Sequence, residues 1–219
     1  MPLSDLATES GSDKAVGTSS RERILLAAKH LFARNGYENT STVAIARDAG
    51  TSESQLMKHF GSKQGLLATI LDRGWAAIID RVRALSHGEG TDQLVGMLEA
   101  IVVELDQDQE LKELMMLEAH RIRKDARDVL VSRGCRQFVE LFDTALIALQ
   151  REGQLRADLN PDAMRAALIG MTESLLRSQI VAQRSDLPAS YNFEDIRRIL
   201  QAIVPTFAIG LSPQLKSAR

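Results

Sequence analysis

Residues 41–63 read STVAIARDAGTSESQLMKHFGSK, and the punctuation of this stretch decides the fold. Ser41 or Thr42 can cap a short helix that carries Val43, Ile45, Ala46 and Ala49 before Gly50 stops it. Ser52 caps a second, from about Glu53 to His59, with Leu56 and Phe60 as its inward residues and Gly61 and Ser62 as its end. Helices of seven or eight residues are marginal alone, so neighbours must hold both. Those neighbours are legible on either side. Ser19 with Glu22 three residues on reads as a capping box, and Ile24, Ala28, Leu31 and Phe32 recur at helical spacing up to Gly36, predicting a helix over 20–35. Beyond Lys63, a long helix to about Leu85 is marked by Leu67, Ile70, Leu71, Trp75, Ile78, Val82 and Leu85. Two short helices joined by a glycine turn and packed between longer ones make a helix-turn-helix.

The whole chain has 219 residues, 44% hydrophobic, 26% charged and 4% aromatic, which describes a globular protein large enough for a real core. Five prolines and few aromatics favour helix over strand. No apolar run reaches the ~18 residues of a spanning helix, and the polar, acidic stretch 1–20 has no signal-peptide core. The expectation is a cytoplasmic protein with no membrane partner. One cysteine, Cys135, leaves no internal disulfide and too few thiols for a structural zinc. Net charge is −2, but resolved along the chain it is −2 over residues 1–18, +3 over 19–63 and −3 over 64–219. A basic head sits on a slightly acidic body.

Helical periods continue through that body: Asp92 to about Asp106, Gln109 to about Arg123, Asp125 to Glu152, Asn160 with Pro161 at the first position to about Arg184, and Phe193 to about Leu211, where Pro205 must kink the last helix. No strand signal or repeat interrupts them. The predicted fold is all-α with about nine helices. It divides into a flexible N-terminal arm (1–18), a helix-turn-helix head (19–64) and a larger helical body (65–219).

The run from Arg23 to Leu67, with Ala28, Leu31, Phe32, Gly36, Tyr37, Thr42, Val43, Ile45, Ala46, Ala49, Gly50, Ser52, Leu56, His59, Phe60, Ser62 and Lys63 in place, resembles the DNA-binding head of TetR-family transcriptional regulators. The resemblance implies a homodimer that reads a near-palindromic operator in double-stranded DNA, and a body that binds a small molecule and releases the DNA. It also marks three departures: Met57 where tyrosine is usual, Glu53 where a neutral or basic residue is commoner, and Gly65 where an acidic residue often completes a capping box with Ser62.

On the residues themselves, Ser52, Glu53, Ser54, Gln55 and Lys58 lie on or before the outward face of the second short helix. Gln55 is the best base reader, since a side-chain amide can pair with the N6 and N7 edge of adenine. Thr42, His59 and Lys63 fall where the family contacts phosphate, at the helix ends, two of them N-termini that attract anions. In the body, Leu98, Ile101, Val102, Leu105, Met115, Phe138, Phe142, Met164, Leu168 and Met171 can converge on one interior for a mainly apolar ligand. Glu118, His120, Arg121, Glu173 and Arg177 are its candidate polar contacts. The helix from Asn160 is apolar nearly all round and carries a row of small residues, Ala166, Gly170 and Ser174; with Ile203 and Phe207 of the last helix these form the expected dimer face.

An enzyme is disfavoured. The four histidines share no metal-ligand spacing, no phosphate loop or nucleophile elbow occurs, and Cys135 has no identifiable base, so neither cofactor nor metal is expected. The remaining alternative is a helical interaction protein that uses the head as a protein-docking face, which the salt dependence of DNA binding separates from a regulator.

Overall fold

Serine hydroxyls start every helix at the head of the chain. Ser19, Ser41, Ser52 and Ser62 each accept from the backbone N–H three residues on, at 2.9 to 3.2 Å. They open α1 (Ser20–Asn35), α2 (Thr42–Asp48), α3 (Glu53–Phe60) and α4 (Lys63–Ala84). The computed structural model describes residues 19–85, 88–118 and 131–209. Within them the chain continues as α5 (Thr91–Gln107), α6 (Gln109–Glu113), α7 (Arg133–Arg151), α8 (Pro161–Gln183) and α9 (Phe193–Ile203). Among the described residues the only β pairing is a single antiparallel bridge between Leu155 and Ala208. The fold is all-α.

One apolar core runs the length of the molecule, from Ile24, Phe32, Ile45 and Leu56 through Leu67 and Trp75 to Phe138, Leu168 and Leu200. The long α4 belongs to both ends of it. Gly134 makes a tight crossing: a Cβ there would lie 2.5 Å from Trp75 Cβ, and its backbone N–H donates to Asp72 Oδ1 at 2.8 Å. Helix α7 therefore starts hard against α4. An ion pair from Lys29 to Asp108 and a hydrogen bond between His30 and Glu110, each at 2.7 Å, tie α1 to the α5–α6 corner. At the far end of α8, Arg184 pairs with Glu113 and donates to the Ala33 carbonyl at 3.4 Å.

Four expectations need correction. The Ser19–Glu22 box is half made, because the Glu22 carboxylate accepts from Arg73 at 2.7 Å instead of turning back to its cap. The helix expected over 109–123 leaves the α form after Glu113 and passes into a π turn at Leu114–Glu118, with 119–123 outside the described residues. The helix expected from Asp125 starts at Arg133, where Ser132 accepts from the Cys135 N–H at 3.2 Å; residues 125–130 lie outside the described ones. The last helix ends at Ile203 rather than near Leu211. Pro205 has no N–H to give the α ladder, and the chain tightens into a 3-10 turn over Val204–Phe207.

Candidate nucleic-acid interface

The α2–α3 turn needs a left-handed residue, and Gly50 supplies it with φ of 60°. Arg23 of α1 fixes the turn by donating to the Ala49 carbonyl at 3.0 Å. Leu56 points into the core with no exposed surface, so the other side of α3 faces solvent. Glu53, Ser54, Gln55, Met57, Lys58 and His59 are all exposed there. Phe60 is only half-buried, less inward than its spacing predicts, and its ring receives the Arg21 guanidinium at 5.2 Å.

Residues placed by sequence at the flanks are held by specific partners. Lys63 sits with its ammonium 4.2 Å from the Tyr37 ring centre and 3.4 Å from the Glu38 carbonyl oxygen, so its charge is anchored beside the start of α4. His59 Nε2 lies 3.2 Å from Ser20 Oγ. Thr42, at the first position of α2, donates its hydroxyl to the Glu53 carboxylate. The structure thus joins two residues that the sequence treats separately: Glu53 holds the hydroxyl that the resemblance assigns to a phosphate.

Sequence reasoning missed Thr40, buried at 3% exposure, whose hydroxyl lies within reach of the Leu31 and Gly36 carbonyls at 3.1 and 2.9 Å and pins the loop into α2. Val43, which the sequence places among the apolar residues of the first short helix, is instead 59% exposed, an apolar side chain of the kind that meets a thymine methyl. No spacing rule flags Thr40.

In the body, Leu98, Ile101, Val102, Leu105, Met115, Phe138, Phe142, Met164 and Leu168 are all buried in the shared core, and Met171 and Glu173 are half-buried. Three clefts described at the surface have other linings. Arg177 is exposed on α8; the side chains of Glu118, His120 and Arg121 are outside the described ones. Ala166, Gly170 and Ser174 form an exposed row on α8, joined by Ala163, Ser178 and Val181. Ile203 is exposed, and Phe207 is half-buried. Among the described residues, no three His, Cys, Asp or Glu side chains converge as a metal site, and no helix is long and apolar enough to cross a membrane.

A helix-turn-helix on a longer helical body defines a class, the DNA-binding transcriptional regulators. Residues 24–70 match the family model of bacterial regulatory proteins of the tetR family. The chain is 24% identical over 201 residues to the HTH-type transcriptional regulator YdgC of Bacillus subtilis, covering 88% of this chain and 96% of that one. Its fold is similar to that of the fatty acid degradation regulator FadR from Bacillus halodurans, with a TM-score of 0.74 at 16% identity over 89% of this chain and 97% of the other. It is also similar to FadR from Bacillus subtilis solved in complex with stearoyl-CoA, with a TM-score of 0.69 at 16% identity over 87% and 98%. Residues 24–70 thus carry a head of the tetR-family type, and the relative that matches along most of the chain is an HTH-type transcriptional regulator.

Proposed function

We propose that the chain is a cytoplasmic homodimeric repressor whose two α3 helices read a near-palindromic operator, and that a small molecule bound in the body releases it. The observation that carries this reading is the solvent face of α3. Gln55 stands in the middle of an exposed row with Ser52, Glu53, Ser54, Lys58 and His59, flanked by half-buried Thr42 and Lys63, on a head whose inner face is buried. In this reading residues 19–64 act as the DNA-binding unit, 65–219 as the ligand-binding and dimerising unit, and 1–18 as an arm. The small-residue row of α8 supports the dimer, since an exposed apolar helix face wants a partner.

The ligand part draws on the stearoyl-CoA complex of the B. subtilis FadR. An apolar ligand seated among Leu98, Phe142, Met164 and Leu168 must displace packed side chains, so its binding would separate α5, α7 and α8 and change the spacing of the two heads. Selection from a randomised duplex library tests the reading. Enrichment of two inverted half-sites about one helical turn apart or a multiple of it is expected; recovery of no common sequence would contradict it.

A further inference from the structure

A cleft of about 720 Å³ opens between the α5–α6 corner and the end of α8, a size suited to a small-molecule ligand. Asp106, Gln109, Gln183, Tyr191 and Glu194 stand around it, and Lys112 lines it from α6. Lys112 is only 3% exposed. Its ammonium has three donors, and among the described residues it has one neutral acceptor, Gln179 Oε1 at 2.8 Å. Gln179 is itself held in place by donating to the Tyr191 carbonyl at 3.1 Å. Asp106 acts on Lys112 through space only, and burial outweighs it, pushing the lysine below its usual range. Cores rarely keep a buried cation without an anion, because desolvation goes uncompensated.

We propose that this cleft binds a small organic acid, its carboxylate or phosphate group pairing with Lys112 and its hydrogen-bond donors facing Asp106 and Glu194. Both walls lead to the head. The α5–α6 corner holds α1 through Asp108–Lys29 and Glu110–His30, and the residue after α8, Arg184, reaches the Ala33 carbonyl. An acid that draws the walls together shifts α1 through these contacts. The site is separate from the apolar interior considered above. Binding to it stands apart from the DNA-binding reading, while the coupling to α1 rests on it.

The test uses the full chain and a panel of small carboxylic acids and phosphate monoesters, each beside its neutral amide or alcohol, read by thermal shift and titration calorimetry without DNA. The acids are expected to bind and stabilise where their neutral counterparts do not, the carboxylate and phosphate arms showing which group the site prefers. Lys112→Met should weaken acid binding by about tenfold or more while melting no lower than the wild type, because it removes a buried charge. Lys112→Arg should keep the preference for acids. The proposal is overturned if acids and neutral partners bind alike, if no acid binds at millimolar concentration, if Lys112→Met binds acids as tightly as the wild type, or if its melting point falls. None of these outcomes touches operator binding, so failure here leaves the regulator reading standing.

Discussion

Gln55 and Lys63 should respond differently to truncation, because in the proposed reading one meets bases and the other phosphate. Gln55→Ala is expected to cost about 1–3 kcal/mol on the preferred operator while leaving non-specific binding nearly intact. Lys63→Ala should weaken operator and non-specific duplex alike and reduce the slope of log K against log salt by ~1. Anisotropy titrations across a salt series separate the two, and a uniform loss from both variants would contradict the role of Gln55. Cys135 gives a chemical prediction at the same scale. Burial pushes its thiol up, Glu173 adds to this and Arg136 opposes it, so less thiolate forms at neutral pH than in an exposed cysteine. Iodoacetamide at pH 7 should therefore label the native protein about tenfold more slowly than the urea-unfolded chain, followed by mass spectrometry. Equal rates would contradict this.

At the scale of elements, the α3–α4 turn explains one departure from the family pattern. A Cβ on residue 65 would sit 2.3 Å from the Phe60 carbonyl oxygen, so the backbone itself excludes the acidic residue often found there. Gly65→Ala should destabilise the protein by about 1–3 kcal/mol in urea melts, even though alanine is the better helix former. A gain in stability would mean that the turn yields freely. On α8, Gly170 is exposed in the small-residue row and nothing lies within 4 Å of a Cβ built there, so arginine fits the monomer. Gly170→Arg is expected to convert the proposed dimer to a folded monomer in sizing and light-scattering measurements, with unchanged helicity; a dimeric variant would move the interface elsewhere. Elements were legible in the sequence where local rules set them. The serine caps and the glycine after α3 lie within a few residues of what they control. The end of α9 was visible as Pro205 but read as a kink, since composition does not tell whether a helix resumes after its ladder breaks.

Across the whole molecule, what the sequence withheld is side-chain partnership over distance. Lys29 and Asp108 stand 79 positions apart, and Lys112 and Gln179 stand 67 apart. Only the packing of α1 against α6, and of α6 against α8, brings them together. Thr42 and Glu53 were each legible as residues near a helix start, but their pairing depends on how α2 and α3 cross. The head was readable because its three-helix spacing is compact, whereas the body's apolar residues fit a solid core and a ligand pocket equally well by period alone. The most direct test of the central claim is an anisotropy titration of the full chain with its selected operator and with a shuffled duplex of the same composition, over a range of salt. The account predicts two chains per operator, preference over the shuffled duplex by about a thousandfold or more, and affinity for both that falls steeply as salt rises. Equal affinity for the two duplexes, or binding indifferent to salt, would contradict it.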